Sequence, residues 1–498
     1  MTDIILTTLN SKYIHCAFGL RYLFANLGDL QLRAQIQEFT IHERPLDIVE
    51  KLLENKPQII GFSVYIWNVV EIGQCIKLLK QINPSIKIVV GGPEVSHVPD
   101  QPDWLYVVDY TITGPGELQF KTLCQQLLKQ QTPLENIIAG IALPLEQLKM
   151  PYQYYDDTDI KNRIIYVEAS RGCPFKCEFC LSSLDKTSKS FSIELFLKEI
   201  DVLIQRGAKH FKFIDRTFNL KVKSTVAILE FFLARLTTDM SIHFEVIPDR
   251  LPEKLREILA RFPDHVLQFE IGVQTFDPVI QDIISRKQDN NKTCENLMWL
   301  RKNTKAHIHA DLIFGLPGDS LNNFAKSFDK LVGLNPQEIQ LGILKRLRGA
   351  PINRHTEEYQ MLYNVNQPYN ILSTRDIDFI TMQRVNRFAR FWDIIGNSGR
   401  FPHTKPIIFG QQPFVNFMKL ADNLYRTEGS SWKISLRRLF KLLYQQLTNI
   451  LKIDEATCFE ALEKDFIHCN EKGKLEHLLN MQNKQAKLGN RNKRQKQH

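Results

Sequence analysis

Residues 57–92 read PQIIGFSVYIW, then NVVEIGQCIKLLKQIN, then PSIKIVVGG. An apolar run, an amphipathic helix and a second apolar run follow one another with almost no spacer. Two strands joined by such a helix must lie parallel in one sheet, with the helix packed on a face. The alternation fills residues 1–140: DIILTTL is bounded by NSKY, HCAFGLRYLFANL has helical spacing, and AQIQEFTI and DYTITG are further strand candidates. The pattern predicts an open, doubly wound α/β sheet of Rossmann or flavodoxin type. Such sheets bind ligands at the carboxyl ends of their strands, near the switch point. Three of these strands end in GFSVY, VVGGPEV and TGPGE, where glycine lets backbone come close to a large ligand.

Residues 141–162 (IALPLEQLKMPYQYYDDTDIKN) are rich in Pro, Tyr and Asp and read as a linker. From 163 the alternation restarts, with strand candidates RIIYVEAS, HFKFID, IHFEVIP, LQFEIGVQ, HIHADLIFGLPG and EIQLGILKRL. Six βα units fall short of the eight of a closed barrel, so the expectation for 163–350 is a partial barrel of TIM type, open on one side. Beyond 350, RDIDFITMQRVNRFARFWDIIGNSG and SLRRLFKLLYQQLTNILK are amphipathic helices, and 351–483 reads as mostly α. Phe388, Phe391 and Trp392 have helical spacing and are expected in its core. Residues 484–498 (KQAKLGNRNKRQKQH) carry six Lys or Arg and no acid, and read as a solvated, disordered tail. The sequence shows no internal repeat.

At 498 residues the chain is long enough for two or three domains, and 43% hydrophobic content can build a core for each. No run of about 18 apolar residues appears, and MTDIILTTLN lacks the features of a signal peptide. Nine cysteines without a targeting signal point to reduced thiols in a cytoplasm. Six of them (Cys16, Cys75, Cys124, Cys294, Cys458, Cys469) are scattered, as small core residues are. The net charge of +9 permits an acidic partner such as RNA, and the basic tail could touch nucleic acid or a membrane surface, but charge alone establishes neither.

The other three cysteines are crowded. RGCPFKCEFC places Cys173, Cys177 and Cys180 in C-x3-C-x2-C spacing, directly after a strand. Structural zinc wants four ligands, usually as two separated pairs. A redox pair of Cys177 and Cys180 would leave Cys173 without a role. An iron–sulfur cube held by three thiolates accounts for the count and keeps one iron open.

The spacing CPFKCEFC, with Phe179 directly before the last cysteine, resembles the signature of radical S-adenosylmethionine (radical SAM) enzymes. Four further segments agree in order: FIDRTFN, FEVIPDRL, GVQTFDPVIQDIISRKQD and ADLIFGLPGDS. The resemblance implies a [4Fe-4S] cluster on Cys173, Cys177 and Cys180, whose open iron chelates the amino and carboxylate groups of S-adenosylmethionine. Cleavage of the cofactor then gives methionine and a 5′-deoxyadenosyl radical. By position, Glu245 would reach the ribose, Gln274 would make a nearby polar contact, Arg286 would pair with the methionine carboxylate, and the backbone at Ile313 and Gly315 would meet the adenine. Family members often carry an acidic pair on the second strand; here the pair is Asp215–Arg216, which keeps Asp215 as a cofactor-binding candidate and leaves the second position without its usual role.

The segment 1–140 resembles the cobalamin-binding domain that precedes the barrel in a large subgroup of these enzymes, through GFSVYIWN, VVGGPEVS and TITGPGELQF. The resemblance implies that Ser63 points a hydroxyl at the cobalamin tail. Gly91, Gly92 and Pro93, and Gly114, Gly116 and Glu117, would pack along the tail and corrin edge. Members with a histidine ligand to cobalt carry D-x-H-x-x-G after the first strand; NSKYIHCAFG departs from it, so His15 reads as helix-entry structure and cobalamin is expected without a protein histidine.

The expected function is therefore reductive cleavage of S-adenosylmethionine by a cobalamin-dependent radical enzyme, methylating an unactivated carbon of an unknown substrate and drawing electrons from a donor such as flavodoxin or ferredoxin. Two other enzyme readings are an RNA methylthiotransferase, whose family places three cysteines for a second cluster in the N-terminal domain, and a cobalamin-free radical SAM enzyme. A non-enzymatic reading is a cobalamin or cluster sensor with the helical region as interaction module.

Overall fold

The structure is a computed structural model and describes residues 2–480; the basic tail 484–498 lies outside the described residues. The chain divides into two compact units, residues 1–319 with 343–376, and residues 320–342 with 377–498.

The first unit begins with strand β1 (Ile4–Asn10), helix α1 (Phe18–Ala25), β2 (Ala34–Thr40), α2 (Pro45–Leu53), β3 (Ile59–Ser63), α3 (Val69–Ile82), β4 (Lys87–Gly91), β5 (Tyr110–Thr113), α4 (Glu117–Leu128) and β6 (Ile137–Ala139). These strands form one parallel sheet in the order β2-β1-β3-β4-β5-β6. Every residue of β1 is buried, as a central strand covered on both faces requires. Successive side chains face opposite ways. Ile4, Leu6, Ile59 and Val89 pack with Leu20 of α1 and Phe120 of α4, whereas Ile5, Leu9, Ile60 and Val90 pack with Val49 of α2 and Ile72 of α3. Chain order reverses between β1 and β3, which puts the switch point at the carboxyl ends of those two strands.

Helix α5 (Asp157–Asn162) ends the linker and ties this sheet to the next. Its cap is reciprocal: Asp156 accepts from the Asp159 N–H at 2.8 Å, and Asp159 accepts from the Asp156 N–H at 3.2 Å. The same Asp159 pairs with buried Arg21 of α1 at 2.5 Å, and Arg21 pairs with Glu38 of β2 at 2.7 Å. Removing one partner from such a buried network costs about 3–5 kcal/mol, because the other charge is stranded.

The second sheet of this unit starts at β7 (Ile165–Val167). A two-stranded antiparallel ladder follows, β8 (Ser170–Arg171) with β9 (Lys189–Ser190). Then come α6 (Ile193–Gln205), β10 (His210–Phe213), α7 (Val222–Leu233), β11 (Ser241–Val246), α8 (Glu253–Leu259), β12 (Leu267–Gln274), α9 (Pro278–Ile283), α10 (Asn290–Asn303) and β13 (His307–Phe314). Strands β7, β10, β11, β12 and β13 are parallel neighbours in that order. Burial alternates strictly along β12 and β13. Phe269, Ile271, Ile308 and Leu312 are buried, while Glu270, Gly272, His309 and Asp311 stand on the other face. That polar face is the interior of the partial barrel.

The second unit holds α11 (Leu321–Leu334) and most of β14 (Glu338–Ile343). Residues 343–376 return to the first unit, where β15 (Leu362–Tyr363) and β16 (Ile371–Ser373) form a small antiparallel pair. The long helices expected beyond 350 begin only at α12 (Phe379–Phe391), followed by α13 (Thr404–Phe409), α14 (Pro413–Glu428), α15 (Leu436–Asn449), α16 (Glu455–His468) and α17 (Leu475–Asn480). Phe388, Phe391 and Trp392 are buried in this helical core, and the Trp392 indole donates to the Ile339 carbonyl at 2.9 Å. Among the described residues no helix is long and apolar enough to cross a membrane.

Candidate active site

Two cavities open at the carboxyl ends of the two sheets of the first unit. The one in the barrel holds about 200 Å³ and is lined by Cys173, Cys177 and Cys180 together with Arg216, Glu245, Gln274, Arg286 and Asp311. The three thiols lie on a loop closed at its neck. Gly172 has φ +86°, a conformation that suits glycine, and a Cβ there would run into the Thr187 carbonyl oxygen. The Cys173 N–H donates to the Asp185 carbonyl at 3.0 Å, and the β8–β9 ladder holds the two ends together.

The middle of the loop is clamped by a residue between two of the thiols. Buried Glu178 accepts from Ser285 Oγ at 2.5 Å, from Arg354 Nε at 2.8 Å and from His355 Nε2 at 2.7 Å. Its backbone N–H donates to the Ile284 carbonyl at 3.1 Å. These donors hold its carboxyl below the usual range despite burial. Arg286 comes from the same place. Asp277 caps α9 by accepting the Val279 N–H at 2.9 Å, and after α9 the chain turns at Ser285 with φ +54°. Arg286 then donates to Cys177 Sγ at 3.4 Å, to the Gly272 carbonyl and to Gln288 Oε1. Burial pushes the Cys177 thiol up, and the Arg286 guanidinium works against it.

Glu245 accepts two hydrogen bonds from Arg216 Nη1, at 2.7 and 3.0 Å. Gln274 adopts φ +69°, and its buried Oε1 has no partner. Asp215 stands apart from this lining: Ala169 N donates to it at 3.0 Å and Ser170 Oγ at 2.6 Å, so it fixes the approach to the thiol loop. Burial pushes its carboxyl up to about 7. Ile313 lies on β13 beyond Asp311, and Gly315 follows the strand with φ +88°; neither lines this cavity.

The other cavity holds about 650 Å³, within the usual range of cofactor sites. It is lined by Ser63, Gly91, Gly92, Gly114, Gly116 and Glu117, by the stacked rings of Tyr65 and Trp67, and by Tyr166, Glu168 and Arg171 of the barrel. Pro93 is not part of this lining. Gly92 has φ +106°, and a Cβ there would stand 2.5 Å from the Val64 carbonyl oxygen. Gly114 has φ +71° and open space beside it. Glu117 is already engaged by Arg171, at 2.8 Å, and Arg171 also donates to Glu168 at 2.9 Å. Because Arg171 precedes Gly172 and Cys173, this ion pair links the N-terminal cavity to the neck of the thiol loop. His15 lies between β1 and α1 and lines the cavity, with Nδ1 2.8 Å from the Tyr166 hydroxyl. Burial and the nearby Lys212 charge keep its imidazole below the usual range.

The residues fit the three groups the sequence suggests. Three thiols flank one cavity, yet among the described residues no three His, Cys, Asp or Glu side chains are gathered to hold a single metal ion. A cube that takes one thiolate on each of three irons accepts that spread. The partnerless Gln274 oxygen and the Arg286 fork suit a small ligand with donors and a carboxylate. A glycine-lined, mostly apolar cavity suits the edge of a macrocycle. Cys75 and Cys124 lie in the cores on opposite faces of the first sheet, and Cys16 lines the cavity, so these three are not gathered for a second cluster.

Comparison with known proteins identifies the domains. A B12 binding domain model matches residues 4–123, and a Radical SAM superfamily model matches residues 167–331. The chain thus carries a B12-binding domain followed by a radical SAM domain, the pairing of cobalamin-dependent radical SAM enzymes. A third model, described as a protein of unknown function (DUF4080), matches residues 357–498. An uncharacterised methyltransferase of Pyrococcus horikoshii is 24% identical over 314 residues, covering 57% of this chain and 67% of that protein. The cobalamin-dependent radical SAM methyltransferase TokK of Streptomyces tokunonensis is 22% identical over 334 residues, covering 60% of this chain and 48% of TokK, about half its length. Among solved structures, the cobalamin-dependent S-adenosylmethionine radical enzyme OxsB, with aqua-cobalamin and S-adenosylmethionine bound, overlays with a TM-score of 0.63 at 14% identity. It covers 96% of this chain and 82% of its own, a likeness of fold. The cofactors of the family are a [4Fe-4S] cluster, S-adenosylmethionine and cobalamin.

Sequence reasoning missed Glu178, Arg171 and the polar face of the barrel. Glu178 had a signal: an acid between two thiols of one loop is out of place unless it is held. The barrel face had one too, in the polar residue at every second position of HFKF, IHFEV and HIHAD.

Proposed function

We propose that this enzyme methylates an unactivated carbon of its substrate by cobalamin-dependent radical chemistry. The observation that carries the reading is the pair of cavities in one compact unit, one walled by three thiols and Arg286, the other by glycine loops and a stacked aromatic pair. When bound, the cluster and cobalamin supply reductive cleavage of S-adenosylmethionine and methyl transfer.

In this reading Cys173, Cys177 and Cys180 hold the cluster, and Glu178 holds their loop through Ser285, Arg354 and His355. Arg286 pairs with the methionine carboxylate, which replaces Gln288 as the acceptor of its outer N–H groups. Glu245, oriented by Arg216, accepts from the ribose hydroxyls, and the Gln274 amide completes its hydrogen bonding on the cofactor. Asp215 positions the thiol loop from behind. On the other side, Ser63, Gly91, Gly92, Gly114 and Gly116 lie along the cobalamin. Glu117 acts through Arg171, and His15 is spent on Tyr166. The reaction needs an electron donor such as flavodoxin or ferredoxin, and a reducing cytoplasm keeps the nine thiols available. The name of TokK, a cobalamin-dependent radical SAM methyltransferase, supports methylation over rearrangement.

The test is product analysis of the reconstituted enzyme with a reductant and cell-extract metabolites. Methylation predicts 5′-deoxyadenosine and S-adenosylhomocysteine together. Formation of 5′-deoxyadenosine alone would leave cleavage standing and remove methyl transfer.

A further inference from the structure

The polar face of the barrel carries charges that the cofactor reading leaves unused. Tyr166 of β7, Lys212 of β10 and His243 of β11 are neighbours in one row of the sheet, and Glu270 of β12 and His309 of β13 are neighbours in the next. Lys212 Nζ stands 3.4 Å from Glu270 Oε2, and His243 Nε2 stands 3.1 Å from the same oxygen. The Lys212 side chain is 27% exposed, so this is a lumen open to solvent. The cluster lies between the two cavities. Glu270 lines the one with the thiols, while Tyr166 lines the other and meets His15 there.

Acids and bases are sorted along this path. Glu245, Glu270 and Asp311 all line the thiol cavity. His243, Lys212 and His309 hold Glu270 down to about 2, so it is ionised. Burial and the charges of Glu270 and Glu245 push Asp311 up to about 8. Arg216 answers Glu245, but Asp311 Oδ1 is buried without a hydrogen bond beside the other two carboxyl groups, a place a cationic ligand would favour. S-adenosylmethionine is such a ligand, since its sulfonium is a fixed positive charge. A cation bound in that cavity would compete for Glu270 and weaken its 3.4 Å pair with Lys212. Lys212 then presents an ammonium with three donors toward the space between the cavities, with the His243 imidazole beside it.

We propose that Lys212, with His243 beside it, receives an anionic group of the substrate, a carboxylate or a phosphate, once S-adenosylmethionine is bound. The inference rests on the functional reading above. It makes binding ordered, with S-adenosylmethionine first, and it places the substrate between the two cofactors. Lys212 is a specificity-determining residue in this account.

The experiment uses the anoxically purified full chain, loaded with cluster and cobalamin, and three aromatic probes of similar size: benzoate, phenyl phosphate and benzylamine. Saturation-transfer NMR reads their binding with and without S-adenosylmethionine, and calorimetry reads S-adenosylmethionine itself. Benzoate or phenyl phosphate should bind only when S-adenosylmethionine is present, and the tighter of the two assigns the group. Lys212→Met should weaken that binding about tenfold or more while S-adenosylmethionine still binds, no more weakly than to wild type, and Lys212→Arg should keep the probe binding. Anion binding untouched by Lys212→Met, a preference for benzylamine, or no probe binding in a protein that holds S-adenosylmethionine would overturn the subsite alone. A wild-type protein that fails to bind S-adenosylmethionine would overturn the functional reading beneath it.

Discussion

Around the N-terminal cavity the walls are mostly backbone and apolar side chains, with Gly91, Gly92, Gly114 and Gly116 beside the stacked rings of Tyr65 and Trp67. The thiol cavity has apolar walls too, but it adds ionisable side chains fixed by partners: Arg286 by the Gly272 carbonyl and Gln288, Glu245 by Arg216, and the loop itself by Glu178. The difference follows from what each must hold. A broad, rigid macrocycle is gripped by shape, and only glycine lets the chain come close enough. A small charged ligand is gripped by directed hydrogen bonds, which need side chains fixed in advance. The first cavity should therefore tolerate polar changes and fail on added volume, and the second should do the reverse.

That contrast can be broken by a graded series of variants. The largest effect belongs to the triple replacement of Cys173, Cys177 and Cys180 by Ala, which should abolish iron content and S-adenosylmethionine cleavage while corrinoid content stays near wild type. Iron analysis and corrinoid absorbance read the two sides separately, and loss of both together would erase the distinction. Next, Arg286→Ala should weaken S-adenosylmethionine binding by roughly ten- to a hundredfold in calorimetry, the scale of a lost charge-assisted pair of about 1.5–3 kcal/mol, without touching corrinoid. Gly92→Val is its mirror image. A β-branched residue at φ +106° beside the Val64 carbonyl should lower corrinoid content severalfold and leave iron content alone, with circular dichroism confirming the fold. The smallest change is expected from His15→Ala. It removes one hydrogen bond to Tyr166, worth about 1 kcal/mol, and should leave corrinoid binding intact. Corrinoid lost from a folded His15→Ala protein would make His15 a ligand and not a spacer.

The backbone of this molecule was largely legible in the sequence. The period of two in the strands and 3.6 in the helices predicted a doubly wound sheet followed by further parallel strands, because continuous burial on both faces leaves a plain apolar run, as in IILTTL of β1. The glycine turns after β4 and β5 were legible for the same reason: positive φ at Gly92 and Gly114 favours one residue type. Side-chain pairings were not. Glu117 with Arg171, and Glu178 with Arg354, join residues far apart in the chain, and a single sequence carries no sign of which charges meet. Asp215 shows the limit well. Its position suggested the cofactor, but its two oxygens are occupied by Ala169 and Ser170. The start of the helical region was blurred too, since β15 and β16 occupy a stretch whose composition gave no strong period.

The central claim is that one compact unit holds two cofactors in two cavities of opposite construction. Its most direct test is to purify the full chain anoxically from cobalamin-fed cells, reconstitute the cluster, and count iron, sulfide and corrinoid per chain, with the corrinoid identified by mass spectrometry. The account predicts four irons and close to one corrinoid per chain. A four-iron cluster without corrinoid, in a protein whose N-terminal sheet is folded, would contradict it and leave the glycine-walled cavity to a different ligand.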